Sequence, residues 1–189
     1  MNCEIDLKNA LEVLRKGGVI IYPTDTVWGI GCDATNEEAV RRIYAIKRRE
    51  DSKSMLCLVD SAHRIQRYFR QVPDVAWDLI DCATTPLTVI LPGANGVAPS
   101  LLAEDGSLGM RVTQEEFSRQ LCYRLQRPLV STSVNVSGEP PARCFKEIPE
   151  DILSQVDYVV QFRRGEGAVH KPSSIVKLDV DGQVTIIRK

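Results

Sequence analysis

The sequence lacks the short motifs that usually mark nucleotide-dependent and hydrolytic enzymes. It has no GxxxxGK[ST], no GxGxxG, no HExxH and no GxSxG, which leaves P-loop, zincin and serine-hydrolase chemistry without support. Its two histidines, His63 and His170, have no partners at meaningful spacing and read as surface residues. Six cysteines, Cys3, Cys32, Cys57, Cys82, Cys122 and Cys144, form no CxxC pair and no Cys/His cluster of zinc spacing; they read as reduced core residues of a cytosolic protein. No apolar run approaches a membrane span and the segment Met1–Asp6 carries no signal-peptide h-region, so the expectation is a soluble, cytoplasmic protein with no membrane partner. Charge of one sign is lacking too. Lys and Arg number 24 against 25 Asp and Glu, a net charge of -1, so any polyanion must be met by a local patch rather than by the field of the whole molecule. The 189 residues show neither a composition shift nor a long linker, which predicts a single domain over residues 1–189.

What is present is an alternation of helical and strand patterns. Glu4 to Lys16 reads as a helix offering Ile5, Leu7, Leu11 and Leu14 for burial, stopped by Gly17-Gly18, and Val19 to Tyr22 as the strand after it. A second helix is expected from a cap at Thr35 or Asn36, with Glu37 and Glu38 in its first turn, Ala39, Ile43 and Ile46 buried, and a cationic last turn of Lys47, Arg48 and Arg49. Strands are predicted at Met55–Val59, Leu87–Leu91, Gly109–Val112, Leu129–Asn135, Tyr158–Phe162, Ile175–Leu178 and Val184–Ile187. Helices are predicted at Ala62–Phe69, Val75–Cys82, Glu115–Leu125 and Lys146–Leu153. The order is α/β, and a twisted mixed sheet is the economical architecture.

Five segments could carry chemistry. Pro23-Thr24-Asp25-Thr26 ends a buried strand in a polar turn before Gly29-Ile30-Gly31, the place where open α/β sheets bind ligands, although threonine and aspartate also suit an ordinary turn. In Lys47–Lys53 the macrodipole alone accounts for cations in a last helical turn. A further cation at Lys53 would be repulsive unless an anion sat among them, since a charge pair about 4 Å apart is worth roughly 4 kcal/mol at an effective dielectric near 20; a triphosphate is the natural occupant. Alternation places Ser131, Ser133 and Asn135 on one face of a buried strand, satisfied either by neighbouring backbone or by a polar cavity. Arg111, in the short apolar run Gly109–Val112, either snorkels, pairs with a carboxylate or clamps a substrate carboxylate. Lys171-Pro172-Ser173-Ser174 sets two hydroxyls at a strand start, where capping is the commoner explanation.

Taken together, Tyr22-Pro23-Thr24-Asp25-Thr26 with Gly29, Lys47-x-Arg49 with Lys53, Gly109-Met110-Arg111-Val112, Ser133-x-Asn135 with Ser137-Gly138, and Ser173-Ser174 resemble the YrdC-like family, which includes the threonylcarbamoyl-AMP synthases. The similarity runs over nearly the whole chain in the family's order, without the extra carboxyl-terminal domain of longer members. It implies an open, twisted mixed α/β sheet with flanking helices and a concave, positively charged cavity. It further implies ATP, L-threonine and bicarbonate as substrates and Mg2+ on the ATP phosphates, with no protein metal ligand named. The product would feed threonylcarbamoyladenosine formation on tRNA through downstream transferase machinery.

By the same resemblance Arg49 and Lys53 contact the phosphates with Lys47 supporting them, Lys47 and Arg49 being the catalytic cations. Ser133, Asn135 and Arg188 hold nucleotide. Thr26, Arg111, Ser131 and Ser174 recognise threonine, with Arg111 on its carboxylate. Ser54-Met55 stands where the family usually has Pro-Leu, Thr113 for Pro, Trp28 for Tyr and Ser131 for Thr, departures that resemble the YciO-like branch. Two alternatives therefore stand beside the synthase: a double-stranded RNA- or tRNA-binding module, and a YciO-like nucleotide-binding protein acting on another small metabolite.

Overall fold

The computed structural model describes residues 3–48, 55–166 and 172–189. Among these residues lie one mixed sheet of nine strands and six α-helices. The strands are β1 (Ile20–Tyr22), β2 (Gly29–Gly31), β3 (Leu56–Val59), β4 (Leu87–Leu91), β5 (Leu108–Val112), β6 (Leu129–Ser133), β7 (Tyr158–Val159), β8 (Ser174–Leu178) and β9 (Val184–Arg188). Their order across the sheet is β7-β1-β2-β6-β3-β5-β4-β8-β9. β1–β7, β3–β5 and β4–β8 pair in parallel and the other neighbours antiparallel. No helix among the described residues is long and apolar enough to cross a membrane.

Helix α1 (Cys3–Arg15) buries Leu7, Leu11 and Leu14 as their spacing predicts and ends where Gly17 takes a φ of +80°. Ile5, expected in the core, is instead 59% exposed, and the inward residue beside it is Asp6. The Asp6 carboxylate accepts hydrogen bonds from the backbone N–H groups of Gln161 at 2.8 Å and Phe162 at 2.6 Å, and from the Tyr158 hydroxyl. Those bonds turn the chain away from the sheet, which is why β7 has two residues instead of the strand expected as far as Phe162.

Helix α2 (Glu37–Ile46) starts at Asn36, whose Oδ1 accepts the Ala39 N–H at 3.0 Å. Thr35 binds Asp33 instead. The helix stops one residue before the expected cationic turn: Lys47 is its C-cap, and Arg48 takes a left-handed φ of +48°. The remaining helices are α3 (Ala62–Ile65), continued by a 3-10 turn at Gln66–Tyr68, then α4 (Asp74–Cys82), α5 (Glu116–Leu125) and α6 (Glu150–Leu153). The helix expected over Lys146–Leu153 is broken by Pro149 into a 3-10 turn at Phe145–Glu147 and the short α6.

β2 has no sequence period to announce it, being Gly-Ile-Gly. Its glycines are required by proximity: a Cβ on Gly31 would lie 2.0 Å from the Val130 carbonyl oxygen, so only glycine lets β2 approach β6 so closely. Across the sheet, one set of alternating residues, including Val89, Leu91, Met110, Val130, Val176 and Leu178, joins the hydrophobic core together with side chains of α1, α2 and α5. Three cysteines, Cys32, Cys57 and Cys122, belong to that core, and burial pushes their thiols up. Cys82 is exposed and Cys3 and Cys144 half-buried, against the expectation of six core cysteines.

Candidate active site

The other set of alternating residues lines a cavity of about 480 Å³. Sheet register builds it. Leu56 lies opposite Ser131, Gly29 opposite Ser133, Ile90 opposite Gly109 and Thr88 opposite Ile175, and all eight side-chain positions face the cavity. The volume lies within the range of small-molecule sites, and the lining mixes apolar side chains with a few convergent polar groups, as such sites do.

The Thr24–Val27 turn forms one rim. Thr24 Oγ1 donates to the Val27 carbonyl at 2.7 Å and accepts the Thr26 N–H at 3.1 Å, a local hydroxyl-stabilised turn that also sets Thr24 and Thr26 on the cavity. The floor beneath it needs glycine, because a Cβ on Gly29 would stand 3.0 Å from Thr24 Cγ2 and 3.3 Å from Ser131 Oγ. Behind the turn, Asp25 Oδ1 lies 2.9 Å from Arg111 Nη2, with the two side chains 8% and 3% exposed. The separation is that of an ion pair, yet the N–H is not aimed at the oxygen. Neither Asp25 oxygen nor Arg111 Nε has a hydrogen-bond partner among the described residues. Burial lowers the proton affinity of the Arg111 guanidinium, and Asp25 opposes that shift. Arg111 therefore both pairs with a carboxylate and lines the cavity.

The end of β6 is held from within. Lys47, 1% exposed, donates from Nζ to the carbonyls of Ser133 at 2.5 Å and Asn135 at 2.8 Å, and reaches Asn135 Oδ1 at 3.5 Å. Asn135 Nδ2 donates to the carbonyls of Val136 and Glu139, and Ser133 Oγ donates to Asn135 Oδ1. The turn from Asn135 to Glu139 is thus fixed by one buried ammonium and one fully engaged amide. Ser133, Asn135 and Glu139 face the cavity while Lys47 is not among its lining residues.

On the far wall Arg188, in β9, donates from Nε to the Ser173 carbonyl at 2.9 Å, and the Thr88 and Ser173 hydroxyls are 2.9 Å apart. Ser174, expected in the site, is displaced by strand parity. Ile175 faces the cavity, so Ser173 shares its face and Ser174 points to the other, where Val176 and Leu178 are buried. Of the residues expected in the site, the structure brings Thr26, Arg111, Ser131, Ser133, Asn135 and Arg188 onto one cavity. Arg49 and Lys53 lie outside the described residues. Thr88 and Glu139 have no motif to mark them, and Asp25 and Ser173 stand in the candidate segments without a role of their own. For Ser173 and Thr88 the available signal was alternation within the runs from Ile175 and Leu87.

The Sua5/YciO/YrdC family model, described as "Telomere recombination", matches residues 12–189. The threonylcarbamoyl-AMP synthase of Stenotrophomonas maltophilia is 34% identical over 166 residues, covering 86% of this chain and 89% of that protein. E. coli YciO superposes with a TM-score of 0.85 at 28% identity, covering all of this chain and 90% of its own. P. abyssi Sua5, solved in complex with L-threonine, gives a TM-score of 0.81 at 23% identity and shares the fold; the match covers 91% of this chain and 50% of Sua5. This chain thus spans about half the length of Sua5.

Proposed function

Since this chain belongs to the Sua5/YciO/YrdC family, we propose that it is a threonylcarbamoyl-AMP synthase, using ATP, L-threonine and bicarbonate. The observation that carries this reading is the buried guanidinium of Arg111 on a cavity that Ser131 and Ser133 of β6 and Asn135 just beyond it also line. A carboxylate-binding group and a row of hydroxyl and amide groups stand within one chamber, which suits an amino acid beside a nucleotide.

The reaction balances without a covalent enzyme intermediate. Threonine amine and bicarbonate condense to a carbamate with loss of water; a carbamate oxygen attacks the α-phosphorus of ATP, the bond to the β-phosphate bridging oxygen breaks, and pyrophosphate leaves. Both reactants are anions, so the barrier is largely electrostatic and positional. In this reading Arg111 holds the threonine carboxylate, with Thr26, Ser131 and Ser173 around it; Ser173 takes the place expected for Ser174. Ser133, Asn135 and Arg188 face the nucleotide, and Arg49 and Lys53 are assigned to its phosphates. Lys47 serves them indirectly, by fixing the end of β6. Mg2+ is assigned to the triphosphate as part of the substrate, and no step is assigned to the ion. The product then passes to transferase machinery that modifies tRNA.

The likeness to E. coli YciO over the full chain, together with Met55 on the cavity and Trp28 on the small pocket that shares Thr24, Thr26 and Val27 with it, favours one second reading, a YciO-like nucleotide-binding protein acting on another small metabolite. Incubation with ATP, Mg2+ and 13C-bicarbonate, with L-threonine or with other small metabolites in its place, followed by mass spectrometry, separates them. The synthase yields threonylcarbamoyl-AMP heavier by one carbon-13. An adduct with another small metabolite, and none with threonine, would establish the second reading in its place.

A further inference from the structure

A synthase of this kind must sort anions. A carboxylate, a bicarbonate and a triphosphate enter the same cavity, and a guanidinium binds phosphate as readily as carboxylate. Two guanidinium groups, those of Arg111 and Arg188, line this one cavity. Asp25 supplies the opposing charge, 2.9 Å from Arg111 Nη2. Its oxygens are shut off from solvent and it is not among the cavity-lining residues, so it cannot itself hold a ligand and acts through Arg111. Asp25 also makes no aligned hydrogen bond to the arginine or to any other described group. Its contribution is charge rather than a directional strut. A singly charged carboxylate that meets the Arg111 fork is therefore opposed once by the charge of Asp25, and a dianion twice.

The geometry points to Asp25 as the residue that makes the Arg111 subsite selective for a singly charged carboxylate over a doubly charged tetrahedral anion, an inference that rests on the proposed function. Removing one negative charge about 7 Å from the bound anion, at an effective dielectric of about 40, strengthens binding about tenfold for each negative charge on the ligand. A dianion therefore gains about tenfold more than a carboxylate does. Any loss of Arg111 orientation affects both ligands, so their ratio isolates the electrostatic role.

The test uses the full chain with an α,β-non-hydrolysable ATP analogue filling the nucleotide subsite. L-Threonine binding is titrated by calorimetry in the presence of sulfate, a dianion that reports on tetrahedral anions without a change of protonation near neutral pH. In the wild type, sulfate displaces threonine only at large excess. In Asp25→Asn, which keeps the shape and removes the charge, the ratio of sulfate to threonine affinity rises about tenfold, whereas Asp25→Glu stays near the wild-type ratio. An Asp25→Asn ratio within about twofold of the wild type would overturn the inference. So would sulfate that competes with threonine on equal terms in the wild type, a result that stands even if Asp25→Asn does not fold. A wild type that binds the ATP analogue but no threonine is a different failure: it overturns the proposed substrate first and leaves sulfate nothing to displace.

Discussion

Arg111→Ala lowers kcat/KM for threonine about a hundredfold and leaves ATP affinity within about threefold of wild type. A hydrogen bond to a charged group is worth about 1.5–3 kcal/mol, and here two losses add. On the proposed function the carboxylate of threonine loses its clamp, and Asp25, 8% exposed beside Arg111, becomes an unopposed negative charge behind the subsite. Both push the same way, against an anionic ligand. Steady-state kinetics with each substrate varied in turn, paired with direct ATP binding, measures the effect; an unchanged KM for threonine would remove Arg111 from the substrate site. Arg111→Lys is expected to recover part of the loss, because it restores the charge without the planar fork.

Lys47→Ala destabilises the protein by about 3 kcal/mol. Each hydrogen bond to a charged group is worth about 1.5–3 kcal/mol, and stranded acceptors pay their desolvation besides. The Lys47 ammonium holds the Ser133 and Asn135 carbonyls and reaches the Asn135 side chain, so its loss frees the end of β6. Nucleotide affinity is expected to fall with it, through Ser133 and Asn135. Lys47→Met, which keeps most of the buried stem, separates packing from charge: it loses nearly as much stability as alanine if the ammonium is what matters. Urea unfolding of both variants decides this, and wild-type midpoints would show that β6 does not depend on the bonds. A lysine in this position is a strut as well as a charge, which a basic run read along the sequence does not reveal.

The same contrast separates what was legible in the sequence from what was not. Leu87–Leu91 reads as a strand from its short apolar run and is one, with Val89 and Leu91 in the core and Thr88 and Ile90 on the cavity. Gly29-Ile30-Gly31 hides β2, since its glycines are set by the approach to Val130 and not by period. Tyr158–Phe162 reads as a longer strand than it is, because the distant Asp6 takes up the Gln161 and Phe162 amides. At the site, Arg111 could be marked as a cation needing a partner, but nothing local identifies that partner as Asp25. The error between Ser173 and Ser174 is one residue of register. In a strand that is the whole difference between facing the cavity and facing the core.

The most direct measurement is pyrophosphate release by the purified protein with ATP, Mg2+ and bicarbonate, comparing L-threonine with L-serine and with no amino acid. The proposed function predicts release that depends on both threonine and bicarbonate and falls sharply with serine or with no amino acid. Release indifferent to threonine, with ATP still bound, would contradict the account: the cavity would then hold a nucleotide but activate some other acceptor.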